Sequence, residues 1–201
     1  MAVIISADEI KKEFAGYDPS HASQFHRQSA KLADLEFAQQ LKKSRLKKVI
    51  LLNGGSASGK TEYLSSHLSK QKAIIFDGTL STKLGAKIKL KKIFKVKKQA
   101  EVHAVIPRDL NRAYLAFLNR ERHFADEAFF KTHSGARTTL LWFAINYQQV
   151  KVKIFQSFYL QAKVMKFKDL EFPDRYHVVK YLKSIQLSLQ DVAGKIKVVN
   201  K

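Results

Sequence analysis

The sequence predicts an α/β fold: a mostly parallel sheet flanked by helices, in a single domain. Three observations lead there. Short apolar, β-branched runs alternate with longer stretches of helical periodicity, the pattern of βαβ units. One such run, 49–52, passes through a glycine-rich turn straight into a helical pattern. A length of 201 residues with 45% hydrophobic content suits one domain with a substantial core.

Taken in order, residues 2–6 form a short apolar strand ending near Asp8. Residues 9–14 start a helix that Gly16 and Pro19 break. Over 20–41, Phe25, Leu32, Leu35, Phe37, Ala38 and Leu41 recur at helical spacing and predict a helix. Residues 44–48 are a short basic linker, 49–52 a buried parallel strand and 61–68 a helix. A second buried strand over 73–76 ends at Asp77-Gly78-Thr79. The lysine-rich stretch 83–98 predicts a helix with Leu84, Ile88, Leu90, Ile93 and Phe94 on one face and lysines outward. Residues 102–106 form a third strand closed by Pro107. Helices follow over 109–122, with Ala113, Tyr114, Phe117 and Leu118 on the apolar side, and over 127–148, which includes Trp142. Residues 151–155 are a further strand. Beyond them the pattern weakens: a turn at Phe172-Pro173-Asp174, a helix over 176–189, and a short strand or frayed end over 196–199.

Composition narrows the classes. Without cysteine there is no disulfide, thiolate metal site or thiol nucleophile. No apolar run approaches the roughly 20 residues that span a bilayer. The first residues lack the basic start and apolar stretch of a signal peptide, so a cytoplasmic location is expected. Lys and Arg total 37 against 17 Asp and Glu, a formal charge of +20. Such an excess attracts polyanions, so nucleic acid, an acidic protein partner or anionic lipid is expected at the basic surface, although a lysine run equally suits a solvated helix face. No zinc-finger or aromatic stacking signature specifies nucleic acid.

The richest segment is Val49 to Thr61, which contains G-x-x-x-x-G-K-S/T with Gly54, Gly59, Lys60 and Thr61 in register. Strand, glycine loop and helix are the context in which this pattern binds phosphate. Backbone N–H groups of Gly54, Gly55, Ser56, Ala57, Ser58, Gly59, Lys60 and Thr61 are expected to converge on phosphate oxygens. Lys60 is placed to reach the β- and γ-phosphates, and Thr61 to hold Mg²⁺. A nucleoside triphosphate such as ATP is the expected ligand.

In an open parallel sheet, ligands sit at the carboxyl ends of the strands. Asp8 and Asp77 both fall there. An acid beside a γ-phosphate can take the proton of an attacking hydroxyl or hold Mg²⁺. Asp77 equally suits an Asp-Gly turn, and Asp8 a helix N-cap. Arg120 and Arg122 lie between two helices, where a lid is expected; arginines there are also ordinary solvated residues. His133 by itself reads as a structural histidine.

Together these residues resemble the zeta toxin family of P-loop kinases. The resemblance runs from about Ile4 to Phe155 and rests on four stretches. They are the phosphate loop, Phe76-Asp-Gly-Thr-Leu80, Arg122 with Thr132-His133-Ser-Gly-Ala136 downstream, and Asp8 to Tyr17. The aspartate segment precedes the phosphate loop here, as in a circularly permuted subgroup where a helix containing a histidine, here His26, leads into the loop. The usual proline after the aspartate segment is replaced near Phe14-Ala15, and that of the lid by Ala125.

The resemblance implies a P-loop kinase-like domain over 1–155, with 156–201 as an extension packed on it. It implies transfer of the ATP γ-phosphate to a small-molecule hydroxyl, possibly of a UDP-amino-sugar, and an acidic antitoxin partner. Asp8 is then the base, Lys60 and Thr61 the phosphate and Mg²⁺ ligands, Asp77 a second metal or substrate group, and Arg120 and Arg122 the charge clamp. Thr79 and His26 are substrate contacts. Two other classes stay open: a nucleic-acid-dependent ATPase or polynucleotide kinase, and a non-catalytic nucleotide-binding module.

Overall fold

A computed structural model describes residues 1–121, 124–160 and 164–197. The strands are β1 (Val3–Ser6), β2 (Lys48–Asn53), β3 (Ile74–Asp77), β4 (Gln99–Pro107), β5 (Lys151–Leu160) and β6 (Val164–Leu170). The helices are α1 (Ala7–Lys11), α2 (His26–Lys43), α3 (Lys60–Tyr63), α4 (Lys83–Lys95), α5 (Leu110–Leu118), α6 (Asp126–Asn146), α7 (Arg175–Ser184) and α8 (Leu189–Lys197). Among the described residues the strands form one sheet in the order β1-β3-β2-β4-β5-β6. The pairings from β1 to β5 are parallel and only β5–β6 is antiparallel. This is the α/β fold with a mostly parallel, helix-flanked sheet that the alternating pattern predicts.

Pleating sorts the strand residues to two faces. Val49 and Leu51 of β2, Ile74 and Phe76 of β3, and Val102 and Ala104 of β4 join one core cluster. That cluster also holds Phe37 and Leu41 of α2, Leu90 and Ile93 of α4, Leu140 and Phe143 of α6, and Leu182 of α7. The intervening residues Ile50, Leu52, Ile75 and Val105 turn the other way and meet Tyr63 and Leu68. Helical packing thus covers both faces, which is why these strands read as continuous apolar runs.

Several expectations about faces need correction. In α2 the buried stripe is Ser29, Ala33, Phe37 and Leu41, so Leu32 and Leu35 face solvent. In α4 Leu84 and Ile88 are exposed, while Lys89 turns inward to Asp34 at 2.8 Å and over the Phe76 ring at 4.2 Å. The helix after the glycine loop is α-helical only over Lys60–Tyr63 and widens to a π-turn over Leu64–Leu68. The boundary expected at 155 falls inside β5, which runs on to Leu160 and pairs with β6. The C-terminal segment therefore continues the sheet. The helix expected over 176–189 stops at Ser184 as α7, and a separate helix, α8 from Leu189, takes the place of the strand or fray expected from 196; residues 198–199 lie outside the described residues.

Arg175 fixes α7 to the rest. Its guanidinium donates to the carbonyls of Phe143, Ala144, Tyr147, Gln148 and Val150, at the C-terminal end of α6 and just beyond it. The last turn of a helix leaves carbonyls short of partners, Ala144 among them here, and the cation also suits the negative end of the helix dipole. No helix among the described residues is long and apolar enough to cross a membrane.

Candidate functional site

The chain reverses direction across the sheet at β2: β3 lies on one side of it and β4 on the other. A crevice outside the strand ends is the consequence of that reversal. The glycine loop 54–61 sits at this point, and its shape comes from three left-handed positions, Gly54 at φ 149°, Ala57 at φ 57° and Gly59 at φ 92°. At Gly54 a Cβ would lie 2.5 Å from the Val105 carbonyl oxygen. At Gly55 the backbone is not left-handed, but a Cβ would lie 2.4 Å from the His133 ring. Close approach by β4 and α6 thus requires these glycines, independently of any ligand.

Neighbouring elements hold the loop on all sides. The Gly54 N–H donates to Thr79 O at 3.2 Å. From α6, Thr132 Oγ1 accepts from the Ser56 N–H at 3.0 Å, and His133 Nε2 lies 2.8 Å from Ser56 O. From β5, Ser157 Oγ donates to Ser58 O at 2.7 Å. From β6, Met165 sits where a Cβ on Gly59 would go, 2.2 Å from its Sδ. Three amides expected to face phosphate, those of Gly54, Ser56 and Ser58, are engaged by protein oxygens, the last by Gly55 O at 3.3 Å; Ala57, Lys60 and Thr61 line the crevice.

His133 is fully buried. Burial first, then the neighbouring Arg137, pushes its imidazole down to about 3, so the ring is neutral. Ser56 O can only accept and Arg137 Nη1, 3.4 Å from Nδ1, can only donate. The proton is therefore on Nε2.

Lys60 curls back over the loop, with Nζ 2.9 Å from Gly54 O and 2.7 Å from Gly55 O. Enclosure there pushes its ammonium down to about 8; Asp77 and Asp8 pull it up and Arg120 pushes it further down. The ammonium also lies 3.5 Å from Ser58 Oγ, and a cation enclosed this way among neutral oxygens is suited to pair with an anion. Thr61 and Asp77 line the same crevice, and a hydroxyl with a carboxylate is the oxygen donor set that a hard cation such as Mg²⁺ takes.

The crevice is a cavity of about 140 Å³. Most of the residues singled out from sequence line it: Asp8, His26, Ser56, Ala57, Ser58, Lys60, Thr61, Asp77, Thr79 and Arg120. They arrive from five separate stretches of chain. Asp8 comes from α1, directly after β1, whose register pairs Ser6 with Asp77 and so brings the two carboxylate-bearing segments level. The N-cap of α1 is Ser6, so Asp8 lies in the first turn and is not the cap. Gly54, Gly55 and Gly59 support the loop from behind the cavity. Arg122 lies outside the described residues.

Beside the cavity, Lys11 is 1% exposed, lies 3.1 Å from Asp8 Oδ1 and stands 5.3 Å from the centre of the Phe124 ring. Burial, with Lys11 nearby, pushes His26 below its ordinary value. A second small cavity of about 200 Å³ adjoins the first, sharing Ala7, His26, Asp77, Gly78 and Thr79, and reaches Asp34 and Lys89. Sequence reasoning overlooked Lys11, Ser157 and Met165; each acts through a contact between distant segments. Compared with known proteins, the chain matches no family model, and none of the curated proteins matches it.

Proposed function

We propose that this chain is a kinase that transfers the γ-phosphoryl group of ATP to the hydroxyl of a small molecule. The observation that carries the reading is the convergence of Asp8, Lys60, Thr61, Asp77 and Arg120 on one cavity at the mouth of the glycine loop. Lys60 and the amides of Ala57, Gly59, Lys60 and Thr61 hold the phosphates. Thr61 and Asp77 hold Mg²⁺, which supplies positive charge to the reacting phosphate oxygens. Asp8 takes the proton of the acceptor hydroxyl as its oxygen bonds to the γ-phosphorus; the bond to the β–γ bridging oxygen breaks and the diphosphate leaves. Arg120 offsets the charge that builds on the transferred group.

His26 and Thr79 face the acceptor, in the direction of the adjoining cavity. Resemblance to zeta toxins makes a UDP-activated amino sugar the first acceptor to test, an acidic antitoxin the first partner, and the cytoplasm the place of action. The test is mass spectrometry of a metabolite extract incubated with the protein and Mg·ATP. A phosphate-sized mass addition that Lys60→Ala abolishes is expected. No phosphorylated product from any extract would overturn the kinase reading.

A second reading, nucleic-acid-stimulated ATP turnover, is favoured by the exposed Lys83, Lys87, Lys91 and Lys95 along α4 and the +20 formal charge. It expects RNA or DNA to raise turnover, with an effect that falls steeply as salt rises.

A further inference from the structure

Behind the glycine loop lies a larger cavity of about 820 Å³, walled by the ends of β4 and β5, the start of α5, and the C-terminal helices. Its size is in the range of small-molecule sites. Ala57 lines both this cavity and the crevice that holds Asp8 and Lys60, so the two meet at the loop. Among the described residues, two buried side-chain polar atoms have no hydrogen-bond partner: Asn111 Oδ1 and Arg137 Nε. Both residues line this cavity, and Arg137 is only 6% exposed. One atom is an acceptor and the other a donor, and leaving such groups unmet is costly.

The remaining lining suits a flat, anionic molecule. Arg112 stands 5.7 Å from the centre of the Tyr159 ring, and guanidinium and phenol planes are surfaces on which heterocycles stack. Arg108, Arg112, Arg137 and Lys195 make the cavity cationic. The carboxylate of its one acid, Asp109, is taken up by the Asn111 and Arg112 amides as the cap of α5.

We propose that this cavity seats the heterocyclic base of a nucleoside triphosphate, with Asn111 and Arg137 hydrogen-bonding to its edge and Tyr159 stacking on its face. The proposal rests on the reading of 54–61 as a triphosphate site, and it assigns the segment beyond residue 155 a role in choosing the base.

Calorimetric titration of the full chain with the magnesium complexes of ATP, GTP, CTP, UTP and tripolyphosphate separates the two readings. One nucleotide is expected to bind roughly 10-fold or more tightly than tripolyphosphate. Asn111→Leu is expected to remove roughly 10-fold of that preference, and Tyr159→Ala to weaken the same nucleotide, with tripolyphosphate unchanged in both. If all five bind within about twofold of one another, or if both variants keep the preference, the base site is overturned and the phosphate loop stands. If none of the five binds, both fall.

Discussion

His133 Nε2 donates to the carbonyl oxygen of Ser56 at 2.8 Å, joining the middle of α6 to the middle of the glycine loop. Burial and the Arg137 Nη1 donor 3.4 Å from Nδ1 keep the ring neutral. The folded-state value of about 3 lies below the ordinary 6.5, so the unfolded chain binds the extra proton between those values. Stability from this group is fully present above about 6.5 and is lost as pH falls toward about 3. Thermal melts across that window are expected to show a falling midpoint, with a shallower slope in His133→Asn. An identical slope in the variant would show that the histidine does not set it.

Gly55→Ala would drive a Cβ into the same ring at 2.4 Å, with no flexible side-chain end to yield. Loss of triphosphate binding and a lower melting midpoint are expected. The double variant Gly55→Ala/His133→Ala, which opens the space, should recover part of the midpoint. A Gly55→Ala protein that binds normally would refute the close approach.

Lys60 offers a different pH signature. Its ammonium titrates at about 8 before ligand arrives, and a bound polyphosphate raises that value. Triphosphate affinity should therefore be highest below about 8 and weaken by up to about tenfold per pH unit above it. Titrations from about pH 7 to about pH 9.5 check this, with Lys60→Arg expected to flatten the curve because its guanidinium stays charged.

Asp8→Asn keeps an oxygen for Lys11 but cannot take a proton. Phosphoryl transfer is expected to fall by about 10²–10⁴-fold while triphosphate affinity stays within about twofold. Equal losses in both would move Asp8 from chemistry to binding.

Arg175→Met removes all five bonds to carbonyls at the end of α6 and just beyond it. A loss of about 2–3 kcal/mol is expected, measured by urea unfolding, with little change in nucleotide affinity. A change below about 0.5 kcal/mol would show that water replaces the guanidinium there.

The glycine loop and the strand ends were legible in sequence because their signals are local: a fixed spacing after an apolar run, and acids one or two residues past a strand. Asp8, Asp77 and Thr61 were found that way. The inward turn of Lys89 was not, because its partner Asp34 is far along the chain and a lysine run ordinarily signals a solvated face. Likewise β6 hid in a lysine-rich stretch, although Met165 and Phe167 alternate with Lys166 and Lys168 as a strand does. The hold of His133 on Ser56 spans 77 positions and leaves no trace at either end.

The position of β1 has a consequence for how such a protein can change. This strand touches the sheet only through β3, at the rim, while the glycine loop hangs from β2 in the interior. The segment bearing Asp8 is thus mounted on the margin and the anion cradle on the keel. Ile5 anchors that margin in the core and Ser6 Oγ donates to Asp77 Oδ2 at 3.4 Å, so the freedom to vary lies in the helical turn beyond them, where new side chains would alter what is done to a guest while the cradle keeps its mounting.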